Sequence, residues 1–103
     1  MRTKKIQKPW HKENIQKLID TNDIAVERAI VRIYSFQTYK EQNSNKTIDL
    51  NNMGFSSHHA KLGTYLANWI KQDKHLSGKF LDKGRKMIRK YWKQLAMVAN
   101  KEV

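Results

Sequence analysis

The sequence predicts an all-α fold, a single domain of about four helices. The chain holds one proline and four glycines, too few for a β-rich domain with many tight turns. Apolar residues recur at three- and four-residue spacings, the period of helices that bury one face. A length of 103 residues is enough for one modest core but not for two.

The N-terminal part is predicted to contain a basic arm and a short helix. Residues 1–9 form the flexible arm, and residues 10–103 form the helical domain. Pro9 suits the first turn of a helix, and Ile15, Leu18 and Ile19 supply a short apolar edge. We therefore expect the first helix at about residues 10–20.

The second helix is predicted to be the central one. The tetrapeptide Asp20–Asp23 is a cluster of residues that favour the helix N-cap, and the run Ile24–Gln42 follows it without glycine or proline. Its apolar side chains exceed one face, with Val31 and Tyr34 off the main stripe, so we expect burial on more than one side.

The second half of the chain predicts a loop and two further helices. Residues 43–55 have loop composition, with a brief extended piece at Thr47–Leu50. The third helix spans about residues 57–71 and is capped by Ser56 or Ser57. Its inner face would carry the side chains of His58, Leu62, Tyr65, Leu66, Trp69 and Ile70.

The fourth helix is predicted to begin after Ser77 and to run to about Asn100. Its apolar face would hold the residues Phe80, Leu81, Gly84, Met87, Ile88, Tyr91, Leu95 and Val98. Gly63 and Gly84 are predicted to mark close helix–helix contacts. The last two helices are candidates for a helix-turn-helix, although their turn lacks the glycine often found there.

The clearest functional signal is a line of lysines on the fourth helix, which we call the lysine ridge: Lys79, Lys83, Lys86, Lys90 and Lys93. At about 100° per residue these side chains stay within roughly 80° of arc. No glutamate interrupts them at i+3 or i+4, and Arg85, Arg89 and Trp92 lie at their border. A basic ridge beside planar groups suits a polyanion, of which nucleic acid is the commonest. The alternative is a solvated helix face.

Two further basic groups are candidates for the same partner. Arg28 and Arg32 share a face of the second helix with Tyr39, although Arg28 has Glu27 and Asp23 nearby as alternative partners. The arm carries Lys4, Lys5 and Lys8 and ends at Trp10, which either stacks on a base or covers the core edge.

Formal net charge supports an anionic partner. It is +12, from 21 Lys and Arg against 9 Asp and Glu, far more than solubility requires. Residues 71–103 carry ten basic and three acidic side chains, and residues 1–20 carry six and two. The excess therefore lies at the two ends of the chain.

Several classes of function lack a signal in the sequence. With no cysteine there is no disulfide or thiolate site, and no apolar run approaches the length of a membrane span. Adjacent His58 and His59 project about 100° apart on a helix, so they do not chelate one metal ion. We expect a cytoplasmic protein without enzymatic activity, cofactor, metal or membrane partner.

Three stretches together resemble a family of small proteins encoded by bacteriophages, plasmids and other mobile elements, usually without an assigned function. They are Asn22–Val31 followed by Gln37-Thr38, Gly54–Ser56 leading into Lys61–Ala67, and Leu76–Lys79 leading into Arg85–Tyr91 and Gln94-Leu95. The resemblance covers about residues 22–99. It implies a small accessory protein of a mobile element in a bacterial cytoplasm.

The sequence thus predicts a nucleic-acid-binding protein that contacts the phosphate backbone, with DNA favoured over RNA. Strand preference is open, and the protein is a monomer or a homodimer. The alternative is a protein inhibitor or adaptor that docks on an acidic surface of a host nuclease or defence complex. Its partner would then be a host or phage protein.

Overall fold

The computed structural model describes residues 9–42 and 53–101, and the regular structure in this part is helical throughout. The five helices are α1 (Lys12–Thr21), α2 (Asp23–Gln42), α3 (Ala60–Ile70), α4 (Gly78–Arg89) and α5 (Trp92–Ala99). They form one domain, which confirms the all-α prediction. None of these helices is both long and apolar enough to cross a membrane.

Helix α2 is central, as predicted, because it packs against all four other helices. The side chains of Val26, Ile30 and Ile33 are completely buried. The Oδ1 atom of Asn22 accepts a hydrogen bond from the N–H of Ala25 at 3.0 Å. Asn22 is therefore the N-cap that the polar cluster before α2 predicted.

The predicted fourth helix is interrupted at Lys90 and Tyr91, so the structure has five helices. The N–H groups of Lys90 and Tyr91 donate to carbonyls three residues back, Met87 at 3.2 Å and Ile88 at 2.9 Å. These bonds tighten the last turn of α4. The Tyr91 hydroxyl accepts the N–H of Ser56 at 2.9 Å and lies 2.8 Å from Nδ1 of His59.

Helix α3 begins at Ala60 with His59 at the N-cap, so the prediction that Ser56 or Ser57 caps it at residue 57 is wrong. The N–H of His59 donates to the Ser56 carbonyl at 2.9 Å, which forms a turn ahead of the helix. Ser77 does precede α4 directly, but its hydroxyl makes no capping hydrogen bond.

The segment Met53–Phe55, predicted as the end of a loop, is buried in the core. Gln94 on α5 holds Gly54 from both sides. Its Oε1 accepts the Gly54 N–H at 2.8 Å, and its Nε2 donates to the Gly54 carbonyl at 3.2 Å. The extended piece predicted at Thr47–Leu50 and the arm at 1–8 lie outside the described residues.

Three aromatic side chains that helical periodicity assigned to the core are exposed instead. The exposed fraction is 52% for Tyr65, 37% for Trp69 and 47% for Phe80. His58 is exposed as well. The buried residues of α3 are Gly63, Leu66 and Ala67, whereas the rings of Tyr65 on α3 and Phe80 on α4 meet each other at the surface.

Gly63 and Gly84 lie at close contacts, but with side chains rather than with the backbone of another helix. A Cβ at Gly63 would fall 2.4 Å from the Phe55 ring, whereas one at Gly84 would meet its nearest atom, Ile30 Cδ1, at 3.0 Å. Gly63 therefore provides the space for Phe55.

We predict that Gly63→Ala lowers the free energy of unfolding by about 1–3 kcal/mol, because the added methyl displaces a buried ring. Gly84→Ala is the matched control. Gly84→Ala gains about the same helix propensity as Gly63→Ala, up to ~1 kcal/mol, and its added methyl meets a milder contact. The stability of Gly84→Ala should therefore stay closer to that of the parent protein. Chemical denaturation followed by circular dichroism measures both. Equal unfolding midpoints for the two variants would contradict the role of Gly63.

Candidate nucleic-acid interface

All five lysines of the ridge are exposed. Lys79, Lys83 and Lys86 lie on α4, Lys90 is the C-cap that follows it, and Lys93 lies on α5. Because the helix is interrupted, the spacing argument holds for the first four lysines only, and Lys93 belongs to the next helix.

The two arginines at the border of the ridge tie α4 to the junction between α1 and α2. Arg85 forms an ion pair with Asp23, and its Nε donates to the Ile19 carbonyl at 2.8 Å. Arg89 Nε lies 2.9 Å from Asp20 Oδ1. The sequence predicted these guanidinium groups as phosphate contacts, but in the structure both are engaged within the domain.

Glu27, the acidic residue considered as a partner for Arg28, is buried and bonded elsewhere. Its Oε1 lies 2.9 Å from Nδ1 of His75, and its Oε2 accepts the N–H of Leu76 at 2.7 Å. These bonds attach the connection between α3 and α4 to α2. In the part of the chain that the structure describes, no ion pair includes a lysine of the ridge.

Asp82 is an acidic residue that lies among the lysines of the ridge in the sequence. It follows Lys79 by three residues and precedes Lys86 by four, and its side chain is exposed. It forms no ion pair with a described residue. Its charge reduces the repulsion between neighbouring lysines by tenths of a kcal/mol and leaves the ridge strongly positive.

Arg28 and Arg32 are exposed on α2, away from the ridge. Both line a groove between α2 and the end of α3, together with Ile70, and no lysine of the ridge lines it. The Arg32 guanidinium lies 5.0 Å from the centre of the Phe36 ring. The structure therefore keeps this second basic patch separate from the first.

The lysines of the arm, Lys4, Lys5 and Lys8, and the side chain of Tyr39 lie outside the described residues. Trp10 is half-buried against the core. Of the two roles predicted for its side chain, stacking on a base or covering the edge of the core, the second therefore applies. Trp92 is also half-buried, and the Lys12 ammonium lies 5.7 Å from its ring centre.

The three exposed aromatic residues lie close together, and we call them the aromatic cluster: Tyr65, Trp69 and Phe80. They border a small, partly open cavity of about 60 Å³ between α3 and the start of α4. The ring centres of Tyr65 and Phe80 are 5.7 Å apart. One feature of the sequence could have indicated this cluster: Phe80 directly follows Lys79, the first lysine of the ridge.

The imidazole of His59, at the N-cap of α3, has a lowered pKa. Burial lowers its pKa, and the charges of His58 and Lys90 lower it further. Across residues 9–42 and 53–101, no three His, Asp or Glu side chains are grouped so that they can hold a metal ion.

No protein-family model, curated protein or solved structure matches this chain. The resemblance to small proteins of phages and plasmids therefore stays a prediction, and function has to be inferred from the geometry of the described residues.

We predict that Arg85→Met destabilises the fold by about 1–2 kcal/mol, because it removes a charged hydrogen bond to the Ile19 carbonyl and an ion pair. Lys83→Met, on the same helix but without such contacts, should change the unfolding free energy by less than ~0.5 kcal/mol. Urea titrations compare the two. A larger loss for the lysine variant would contradict this division of roles.

We also predict that Lys90→Gln raises the pKa of His59, since it removes a positive charge that opposes protonation. NMR titration of the histidine ring protons measures the change, with Lys83→Gln as the control. Because the pKa of His59 is lower in the folded protein, the unfolded chain binds a proton at His59 at a higher pH than the folded chain does. His59 therefore costs stability as the pH falls below about 6.5. An unchanged His59 titration in Lys90→Gln would contradict the coupling.

Proposed function

We propose that this protein binds nucleic acid, without catalysing a reaction, through contacts between the lysine ridge and the phosphate backbone. One observation carries the proposal. The five lysines are exposed along α4 and the start of α5, and Asp82 is the one acidic residue of α4, while Asp20, Asp23 and Glu27 are bonded to groups outside the ridge. The positive charge of the ridge is therefore left for a partner.

Lysine is suited to this role because its ammonium is a compact charge on a flexible stem. It contacts a phosphate without reading a base edge, so the expected binding depends on salt and little on sequence. The net charge of +12 adds a long-range attraction for a polyanion. The basic arm adds to this attraction through the charges of Lys4, Lys5 and Lys8.

We propose that the ridge contacts phosphates on the outside of the nucleic acid and that no recognition helix enters a groove between its strands. The connection between α3 and α4 spans residues 71–77, longer than the three- or four-residue turn of a helix-turn-helix. This length favours a surface contact along the ridge over a helix-turn-helix arrangement of the last predicted pair.

The proposed setting is that of an accessory protein of a phage or other mobile element in a bacterial cytoplasm. The resemblance described above supports it, and DNA is the polymer that such elements carry. Under this proposal the protein acts as a monomer or homodimer and has no membrane partner.

Reversal of two central charges tests the proposal. In Lys86→Glu/Lys90→Glu, we expect affinity for labelled oligonucleotides to fall at least tenfold at about 50 mM salt. The slope of log K against log salt should fall by about 1.5–2, since two phosphate contacts are lost. Fluorescence anisotropy over several salt concentrations measures both quantities.

The matched control is Lys17→Glu/Lys101→Glu, which changes the net charge equally at exposed lysines outside the ridge. It should keep most of the affinity and most of the slope. Equal losses in the two double variants would show that overall charge, and not the ridge, determines binding. If the parent protein binds no oligonucleotide at low salt, the proposal is wrong and an acidic protein surface becomes the alternative partner.

A further inference from the structure

We infer that the aromatic cluster stacks on unpaired bases, and that the preferred ligand of this protein is therefore single-stranded nucleic acid. The inference rests on the proposed function, because the lysine ridge supplies the phosphate contacts beside which the bases would lie. It adds a second element to the site, formed by Tyr65, Trp69 and Phe80.

The exposure of these rings is the first support. In the described part of the chain only five large apolar side chains are exposed, and three of them are the rings of this cluster. The other two, Leu18 and Ile24, lie on α1 and α2. An apolar patch with a polar rim is typical of an interaction site, whereas single exposed side chains are ordinary.

The second support is that the cluster is held in place. The indole N–H of Trp69 donates to the His75 carbonyl at 3.1 Å, and His75 is itself bonded to the buried Glu27. The Tyr65 and Phe80 rings contact each other at a tilt of 43°. A ring that is already ordered loses little entropy when a base stacks on it.

The third support is chemical complementarity, since positive charge beside aromatic rings suits an anion that carries flat rings. The Lys74 ammonium lies 4.2 Å from the centre of the Trp69 ring. Phe80 follows Lys79, and Lys83 comes three residues later, so the cluster adjoins one end of the ridge. Aromatic platforms beside a basic track are the usual design of sites for single strands.

A duplex fits this arrangement less well. Its bases are paired and stacked within the helix, so it offers phosphates to the ridge but no base faces to the aromatic cluster. A single strand offers both. The ridge alone therefore predicts no preference for the single strand, because a duplex carries the higher density of phosphate charge. The cluster predicts that preference.

The test compares three labelled probes of about 15 nucleotides: oligo-dT, its duplex with oligo-dA, and a strand with the same phosphates but abasic sites. The parent protein should bind oligo-dT more tightly than the other two. Tyr65→Ala and Phe80→Ala should each weaken oligo-dT binding by about fivefold to a hundredfold. Binding of the duplex and of the abasic strand should stay within twofold.

The controls separate loss of stacking from loss of structure. Tyr65→Phe and Phe80→Tyr keep a ring and should restore the affinity for oligo-dT. Ile24→Ala truncates an apolar side chain of similar exposure on α2 and should have no effect. Thermal unfolding followed by circular dichroism checks that every variant is folded.

Two outcomes would overturn the inference in different ways. If Tyr65→Ala and Phe80→Ala bind oligo-dT like the parent while Lys86→Glu/Lys90→Glu does not, the ridge functions and the cluster has no part in it. Equal losses for oligo-dT and duplex in these two variants would show that the cluster contributes to binding without stacking on unpaired bases, which also overturns the inference. If none of the three probes binds to the parent, both this inference and the proposed function are wrong.

Discussion

The arrangement of α3 and α4 depends on one buried carboxylate. Glu27 is 6% exposed, and its two oxygens bond the His75 ring and the Leu76 N–H. A buried charge is tolerated only when such bonds satisfy it, so the connection is held against α2. That position seats Leu76 in the core beside Gly84 and presents the His75 carbonyl to Trp69. The positions of the aromatic cluster and of the first lysine of the ridge therefore depend on a residue of α2.

Helical periodicity predicts which residues share a face but not whether another element covers it. It was sufficient for α2, where an unbroken run and an N-cap at Asn22 agree with a helix that packs against all four others. It failed for Trp69 and Phe80, which share a face with buried residues of their helices but lie at the surface, beside the cavity between α3 and α4. The interruption of the helix at Tyr91 could not be predicted from the sequence either, since neither glycine nor proline marks it. At this point the Tyr91 hydroxyl bonds Ser56 and His59, two residues distant in sequence.

Lysine and arginine have different roles on α4. The arginines Arg85 and Arg89 reach carboxylates of the α1–α2 junction, where a planar group with several donors can satisfy a carboxylate and a carbonyl together. The lysines remain in solvent. Sequence reasoning grouped all of these residues by charge, and it located the ridge correctly on the exposed side of the helix. It could not separate the two roles, because the carboxylate partners lie more than sixty positions away.

The two ends of the described chain are joined by a single side chain. Asn100 accepts the N–H of Trp10 at 3.1 Å and donates to its carbonyl at 2.9 Å, so residues 10 and 100 lie side by side. Helix order along the chain is consequently not essential to the architecture. A circular permutant that links these two positions and opens the chain elsewhere would retain the packing of all five helices.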